Sequence, residues 1–103
     1  MNTLPNIHPG EILRLDFLEP LGITPYRLAK DIGVQQTRIS GILRGERSIT
    51  PDTALRLGRY FNTSAELWLN LQMRYDMEEL RLSKPQDYEQ ILPFTERHKV
   101  AAL

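Results

Sequence analysis

Gln36, Thr37, Arg38 and Ser40 form a short polar run in a stretch that is otherwise rich in aliphatic residues. Gln can make paired hydrogen bonds to adenine and Arg to guanine, while Thr and Ser offer hydroxyl groups. On one face of a helix, these side chains could read base edges in the major groove of DNA. An ordinary solvated helix face is the alternative interpretation. We expect the base-contacting positions to be Gln36, Thr37, Arg38, Ser40 and Gly41.

Basic residues are concentrated in the middle of a chain whose formal net charge is zero. Residues 24–59 contain seven basic and three acidic residues, so this segment has a net charge of +4. Six of the seven are arginines, whose planar guanidinium groups bind phosphate and guanine through paired hydrogen bonds. Chance clustering on a solvated surface is the alternative. The arginine content favours an anion-binding face.

The elements that must position these side chains are predicted to be helices, because no alternating strand pattern precedes residue 86. Thr-Pro pairs at positions 24–25 and 50–51 each put a capping hydroxyl before a proline at the first helical position. The sequence Thr-Ser-Ala-Glu at 63–66 is a capping box for a fifth helix. The five helices are expected at about 9–18, 25–33, 36–44, 51–61 and 64–82, the first of them ended by Pro20 and Gly22.

The second and third of these helices have the spacing of a helix-turn-helix motif. Ala29 is small enough for the two helices to cross closely, and Gly33 supplies the positive φ that the turn needs. Ile39 and Ile42 then bury against the preceding helix. This geometry leaves one face of the third helix projecting, and the free N–H groups at its start suit a phosphate.

Other classes of function have little support in the sequence. There is no cysteine, which excludes disulfides, cysteine-ligated zinc and a cysteine nucleophile. His8 and His98 do not have metal-ligand spacing, and no Ser-His-Asp grouping, P-loop or dinucleotide-binding glycine pattern is present. We therefore expect neither an enzyme nor a bound cofactor. Because no apolar run reaches membrane-spanning length and no leader is visible, we expect a soluble, cytoplasmic protein without membrane contact.

Two long stretches resemble the HigA-type antitoxins, which carry the phage-repressor (Xre-like) helix-turn-helix domain. They are HPGEILRLDFLEPLGIT and LAKDIGVQQTRISGILRGERSITPDTALRLGRYFNTSAELWLNLQMRYDMEEL. The resemblance covers about residues 7–82, with Leu67 standing where an aromatic residue is commoner. It implies an all-α, five-helix phage-repressor-like helix-turn-helix domain with a short C-terminal extension.

The resemblance also implies a function. A protein of this kind is a homodimer that binds operator double-stranded DNA in its own promoter and holds a HigB-type ribonuclease toxin inactive. The family's recognition helix falls on residues 36–44 here. Its phosphate contacts fall near Arg27, Arg44, Arg47 and Ser48, and we expect Gln35 to join them.

Two other interpretations stay open at this stage. The chain could be a stand-alone transcriptional regulator without a toxin partner, because both functions need the same recognition helix. It could also be a protein-binding scaffold that keeps the fold but does not bind DNA. If it neutralises a toxin, we expect a folded surface to do so, because no long, highly charged, weakly hydrophobic tail is present.

The fifth predicted helix has two apolar stripes when it is plotted at 100° per residue. One stripe holds Leu67, Trp68, Leu71, Tyr75 and Leu82, and a single stripe is enough to attach a surface helix to its own core. We expect the second stripe to be a dimer interface, although the first helix or the tail could cover it instead. A dimer suits a helix-turn-helix protein, which usually binds two half-sites. The second stripe holds Leu69, Met73, Met77 and Leu80.

The chain is expected to divide at Lys84-Pro85, since proline interrupts a continuing helix. Residues 1–83 would form the DNA-binding and dimerisation domain, and residues 84–103 a C-terminal extension that could dock on it. The stretch Tyr-Glu-Gln-Ile-Leu-Pro-Phe in this extension could be a short strand, a turn of helix or an irregular segment.

Overall fold

The computed structural model describes residues 5–97, and the regular secondary structure in this range is helical, with no strand, as the sequence predicts. None of the helices in this range is long and apolar enough to cross a membrane. The five predicted helices are present in order, with two short helices after them. They are α1 (Pro9–Ile12), a π-helical segment (Leu13–Leu18), α2 (Glu19–Leu21), α3 (Pro25–Ile32), α4 (Gln36–Leu43), α5 (Pro51–Phe61), α6 (Ala65–Ser83), α7 (Pro85–Glu89) and α8 (Phe94–Arg97).

Pro20 does not end the first helix, contrary to the prediction, because α1, the π-helical segment and α2 follow one another without a break. The π-helical segment is wider than an α-helix, and the backbone N–H of Glu19 bonds to the carbonyl of Arg14, five residues back. This wider turn precedes a residue that cannot donate a hydrogen bond and whose ring crowds the preceding turn. The helix ends instead at Gly22, where φ is 67°.

Hydroxyl caps are present at the start of three of the predicted helices. In each case the side-chain oxygen accepts a hydrogen bond from the backbone N–H three residues later, and the capping residues are Thr24, Thr50 and Ser64. The predicted capping box is wrong by one position, since Ser64 rather than Thr63 caps α6. The Thr63 hydroxyl instead accepts a hydrogen bond from Trp68 Nε1 at 3.0 Å, which ties the α5–α6 connection to the core.

The core lies where α3, α4, α5 and α6 meet the first helical run. Trp68 is fully buried, and the ring of Phe17 lies 4.9 Å from it. The burial of Ala29, Ile39 and Ile42 confirms the predicted packing of the helix-turn-helix pair. Leu55, on α5, lies outside the core and is 65% exposed.

A buried polar bridge links α6 to the segment between α4 and α5. Gln72 is buried, and its side-chain oxygen accepts a hydrogen bond from the backbone N–H of Ile49 at 2.8 Å. Its amide nitrogen donates to Asp76 at 2.9 Å. Because the loop before α5 has no helical partner for this N–H group, Gln72 fixes the loop against the core.

The two apolar stripes predicted on α6 are only partly separated in the structure. Leu69 is half-buried against the core, whereas Met73, Met77 and Leu80 are exposed. Leu82 was assigned to the stripe that faces the core, but it is 67% exposed. It lies in the last turn of α6, beyond the residues that pack on the other helices. The exposed side chains leave an apolar surface on this helix.

Residues 84–97 form short helical turns rather than a strand. Their side chains are exposed wherever burial is described, through residue 96. His98 and the rest of the predicted extension lie outside the described residues.

Candidate nucleic-acid interface

The turn between α3 and α4 is tight because Gly33 adopts a left-handed conformation, with φ of 75°. Its backbone N–H donates to the carbonyl of Ala29 at 2.9 Å, and the N–H of Val34 donates to the same carbonyl at 3.0 Å. These bonds close the end of α3 and direct the chain into α4. The turn therefore has the geometry that the sequence predicts.

The first turn of α4 is exposed and has no side-chain cap. Gln36 and Thr37 face solvent, and within residues 5–97 neither side chain makes a hydrogen bond. Gln35 stands at the capping position, but its side chain does not cap the helix. The N–H groups at the start of α4 therefore have no side-chain acceptor among residues 5–97, and a phosphate oxygen could take that place.

Arg38 is held against the start of α5. Its guanidinium donates to Asp52 Oδ2 at 2.7 Å and to Thr53 Oγ1 at 3.3 Å. The hydrogen bond from Arg38, followed by one from Arg56, lowers the pKa of the Asp52 carboxyl below its usual range. These hydrogen bonds hold the Arg38 side chain at the edge of the exposed face, whereas the side chains of Gln36 and Thr37 are not held in this way.

Arg56 is a positioning residue that sequence reasoning missed. It donates to Asp52 at 3.0 Å and to the carbonyl of Ile32 at 2.7 Å, at the last residue of α3. A cation at a helix C-terminus is favourable, because it meets the partial negative charge of the last carbonyls. The four-residue spacing of Asp52 and Arg56 was a signal for their pairing. Their attachment to α3 and α4 was not readable from that spacing.

The prediction that Gly41 faces outward is wrong. Gly41 is buried, and a Cβ atom added to it would lie 2.6 Å from Arg47 Cδ and 2.8 Å from Arg47 Cγ. The stem of Arg47 therefore packs across α4 at the position where the side chain is missing. Gly41 supports Arg47 rather than presenting a surface of its own. Ser40 is half-buried beside it.

Part of the expected phosphate-contacting set is brought together in a surface hollow of about 380 Å³. The hollow lies between α4, the following loop and the start of α5. It brings together Arg38, a predicted base-contacting residue, with Arg47 and Ser48, two predicted phosphate contacts. The first turn of α5 forms the rest of its wall. Its lining residues are Arg38, Arg47, Ser48, Thr50, Asp52 and Thr53.

The other predicted phosphate contacts lie outside this hollow. Arg27 is largely exposed on α3 and pairs with Asp31 at 2.8 Å, while Arg44 pairs with Glu46 at 3.2 Å. A hydrogen bond from Tyr60, at 2.6 Å, is the main cause that lowers the pKa of the Asp31 carboxyl, and Arg27 adds to it. Exposed ion pairs of this kind are weak, so both arginines can exchange a carboxylate for a phosphate.

His8 connects the start of α1 to this region. Its Nδ1 atom accepts a hydrogen bond from the backbone N–H of Gly10 at 2.9 Å, and its ring meets Tyr75 edge-on at 4.8 Å. Burial lowers the pKa of His8, while the nearby Asp76 carboxylate and a hydrogen bond to the backbone of Arg47 act in the opposite direction. Neutral His8 therefore caps α1 and contacts the loop that carries Arg47.

This chain is similar to known helix-turn-helix proteins. The helix-turn-helix family matches residues 16–68. Virulence-associated protein I of Dichelobacter nodosus is 52% identical over 77 residues, which span 75% of this chain and 71% of that protein. An uncharacterized HTH-type transcriptional regulator of Haemophilus influenzae is 37% identical over 91 residues, 86% of this chain and 85% of its own.

A solved structure of the Pseudomonas aeruginosa antitoxin HigA with the higBA promoter is also similar. It superimposes with a TM-score of 0.83 at 42% sequence identity, and the match covers 87% of this chain and 99% of that one. The similarity includes α6 as well as the helix-turn-helix pair, because 87% of the chain extends well beyond residues 16–68.

Proposed function

Because this chain belongs to the helix-turn-helix family and is similar to the HigA-type antitoxins, we propose that it is a HigA-like antitoxin. It binds operator DNA as a dimer through α4, represses its own operon in the cytoplasm and neutralises a HigB-type ribonuclease toxin. The observation that carries the proposal is the exposed, uncapped first turn of α4 beside a basic hollow. The family consists of DNA-binding proteins rather than enzymes.

Base reading is assigned to the exposed side of α4. Gln36 and Thr37 have the reach and freedom to meet base edges, since neither is held by another side chain of the described residues. Arg38 can contribute in its present direction or after leaving Asp52. Ser40 is half-buried and is therefore expected to contribute less to the base contacts. The base-contacting residues therefore do not contribute equally, and Gln36 and Thr37 are predicted to determine most of the DNA sequence preference.

Phosphate binding is assigned to the edges of the same surface. Gln35 precedes α4 in the chain and Ser48 follows it, and both residues are exposed. The Arg47 side chain passes over Gly41 and lines the hollow. Arg27 and Arg44 extend this rim through side chains that are more than 60% exposed. Such contacts fix the position of a protein on the duplex and give binding a steep salt dependence.

Dimerisation is assigned to the exposed apolar side chains of α6. Met73, Met77 and Leu80 lie four and three residues apart, and Leu69 continues their line toward the core. Burying them between two copies would remove an apolar surface from water and bring two recognition helices to successive half-sites. In this proposal residues 1–83 bind DNA and form the dimer, and residues 84–103 are an extension.

The test is co-expression of this chain with the short reading frame beside its gene. We expect the neighbour to stop growth when expressed alone, to be harmless with this chain and to elute with it in a fixed ratio by intact mass. A harmless neighbour that does not co-purify would contradict the antitoxin function. A catalytically dead neighbour serves as the control for binding without toxicity.

A stand-alone regulator is the second candidate, and the similarity to the HTH-type regulator of Haemophilus influenzae favours it. This function uses the same DNA-binding surface and does not need a toxin. A homodimer that binds operator DNA but has no co-purifying neighbour would establish it. A chain that binds a partner without salt-dependent DNA binding would contradict both candidates.

A further inference from the structure

A groove of about 500 Å³ lies between the residues before α1 and the C-terminal half of α6. It is on a different part of the molecule from the DNA-binding surface. Its apolar lining is partly exposed, with Leu82 at 67%, Ile7 at 51% and Met77 at 44%. The apolar residues that line it are Ile7, Ile12, Leu71, Met77 and Leu82.

One wall of this groove is fixed by hydrogen bonds. The Asn6 side chain donates to the carbonyl of Tyr75 at 3.0 Å and to Glu79 Oε2 at 3.1 Å. The His8 ring packs edge-on against Tyr75. The segment before α1 is therefore attached to α6, so the groove is formed before anything binds in it.

The extension that follows α6 carries exposed apolar side chains, which could pack against the apolar lining of the groove. Tyr88, Ile91 and Leu92 are exposed at 45%, 63% and 53%. They lie within a single short stretch, and the groove is lined by other residues. The same chain therefore presents an apolar groove and an apolar segment, and the segment does not fill the groove of its own copy.

The charges around the two surfaces are complementary. Residues 85–96 contain three acidic residues and no basic one. The groove lining has two arginines, Arg74 and Arg81, and one acidic residue, Glu78, which lies 3.9 Å from Arg81. A second carboxylate, Glu79, lies at the wall, where it accepts a hydrogen bond from Asn6. The acidic side chains of the segment can therefore form ion pairs with Arg74 and Arg81 at the groove.

We propose that residues 88–92 of one copy occupy this groove in a second copy, so that the two chains exchange their extensions. The groove adjoins the dimer surface proposed above, because Met77 belongs to both. A copy paired along α6 therefore brings its extension to the edge of the groove. The exchange is reciprocal in a two-fold dimer, so each dimer contains two such contacts. The inference rests on the proposed homodimer and adds its second contact surface.

Cross-linking between copies tests the exchange directly, since the chain has no native cysteine. One preparation carries Leu82→Cys in the groove and a second carries Ile91→Cys in the extension, with different tags. After the two are mixed and allowed to exchange subunits, a short bismaleimide is added and the products are identified by intact mass. The matched control replaces the groove variant by Leu55→Cys, an exposed residue on α5 outside the groove.

We expect a heterodimeric cross-link for the groove and extension pair and at least tenfold less for the control pair. A dimer by sedimentation without this cross-link would overturn the exchange while leaving the proposed dimer intact. A cross-link formed only within a chain carrying both cysteines would also overturn it, because the extension would then fold onto its own copy. Cross-linking of Ile91→Cys to a co-expressed neighbour instead of the groove would assign the extension to another partner and overturn it too.

A change in dimer affinity provides the second measurement. Ile91→Glu should raise the dimer dissociation constant at least tenfold in sedimentation, because it places a charge in the apolar groove. Gln90→Glu adds the same charge at the neighbouring exposed position and should change the constant less than threefold. Equal effects of the two variants would contradict the exchange. A wild-type chain that is monomeric at all concentrations would contradict the proposed dimer itself.

Discussion

Gly10 lies where α1 crosses α4, and the space available there allows a strong prediction for Gly10→Ala. A Cβ atom at this position would lie 1.9 Å from the carbonyl oxygen of Ile42, 2.7 Å from its carbonyl carbon and 3.1 Å from the Cα of Leu43. All three atoms belong to the backbone of α4 or its last turn. They cannot move aside by a side-chain rotation, so the two helices must separate.

The size of the effect follows from these distances. Ordinary contact begins at 3.4 Å, so the Ile42 carbonyl must move by about 1.5 Å relative to α1. Overpacking of this kind costs about 1–3 kcal/mol and sometimes more, and a helical alanine recovers at most about 1 kcal/mol relative to glycine. Because the obstacle is backbone, we expect the overpacking cost to reach about 3–4 kcal/mol, which leaves a net loss of about 2–3 kcal/mol. For a chain of this size that corresponds to a fall in Tm of roughly 10–20 °C.

Urea denaturation followed by far-UV circular dichroism, at a fixed protein concentration, measures this loss. Gly22→Ala is the control, since nothing lies within 4 Å of its added Cβ and only its positive φ of 67° is unfavourable. It should cost about 1–2 kcal/mol. A Gly10→Ala protein with the midpoint of the wild type would refute the close approach of α1 to α4.

Three further predictions concern the buried bridge, the capping histidine and the arginine over α4. Gln72→Leu removes the acceptor for the backbone N–H of Ile49 and should lower the free energy of unfolding by about 1–3 kcal/mol in urea denaturation. The lowered pKa of His8 means that the unfolded chain binds more protons below pH 6.5, so stability is full above that pH and falls as pH drops through it. The difference in midpoint between wild type and His8→Asn, which keeps a capping oxygen, should therefore shrink as pH falls from 7.5 to 5.5. Gly41→Ala must displace the Arg47 stem, so it should leave stability unchanged or higher while weakening binding to all DNA several-fold in fluorescence anisotropy.

Each of these three predictions would be contradicted by one specific result. A Gln72→Leu protein as stable as wild type would mean that the Ile49 N–H group finds another acceptor. A difference between wild type and His8→Asn that does not change with pH would mean that burial does not disfavour the charged imidazole. Undiminished DNA affinity in Gly41→Ala would remove Arg47 from the phosphate-binding set.

Features set by nearby residues were predictable from the sequence. The caps at Thr24 and Thr50 depend on a hydroxyl, a proline and a backbone N–H within four residues. The helix-turn-helix crossing depends on the regular spacing of Ala29, Gly33 and Ile39, which is also a local pattern. Short-range rules were sufficient for both, because the interacting groups are close along the chain.

Features that depend on how helices meet were not predictable. Arg38 and Asp52 are 14 residues apart, and Arg56 reaches a carbonyl 24 residues earlier, so their contacts depend on the relative placement of three helices. Gly41 was assigned to the outer face because the path of the following loop, which lays Arg47 over it, has no signature in the sequence. Pro20 was taken as a helix end because proline usually interrupts a helix, and the π-helical turn that precedes it here is a rare element.

The most direct test of DNA recognition by α4 is an anisotropy titration of the gene's own upstream duplex with wild type and the Gln36→Ala/Thr37→Ala double variant. Asn70→Ala, an exposed amide on α6, is the control. We expect the double variant to bind the operator at least tenfold more weakly, with little change on a scrambled duplex and an unchanged circular dichroism spectrum. Equal affinity of the double variant and wild type for the operator would contradict recognition through the first turn of α4.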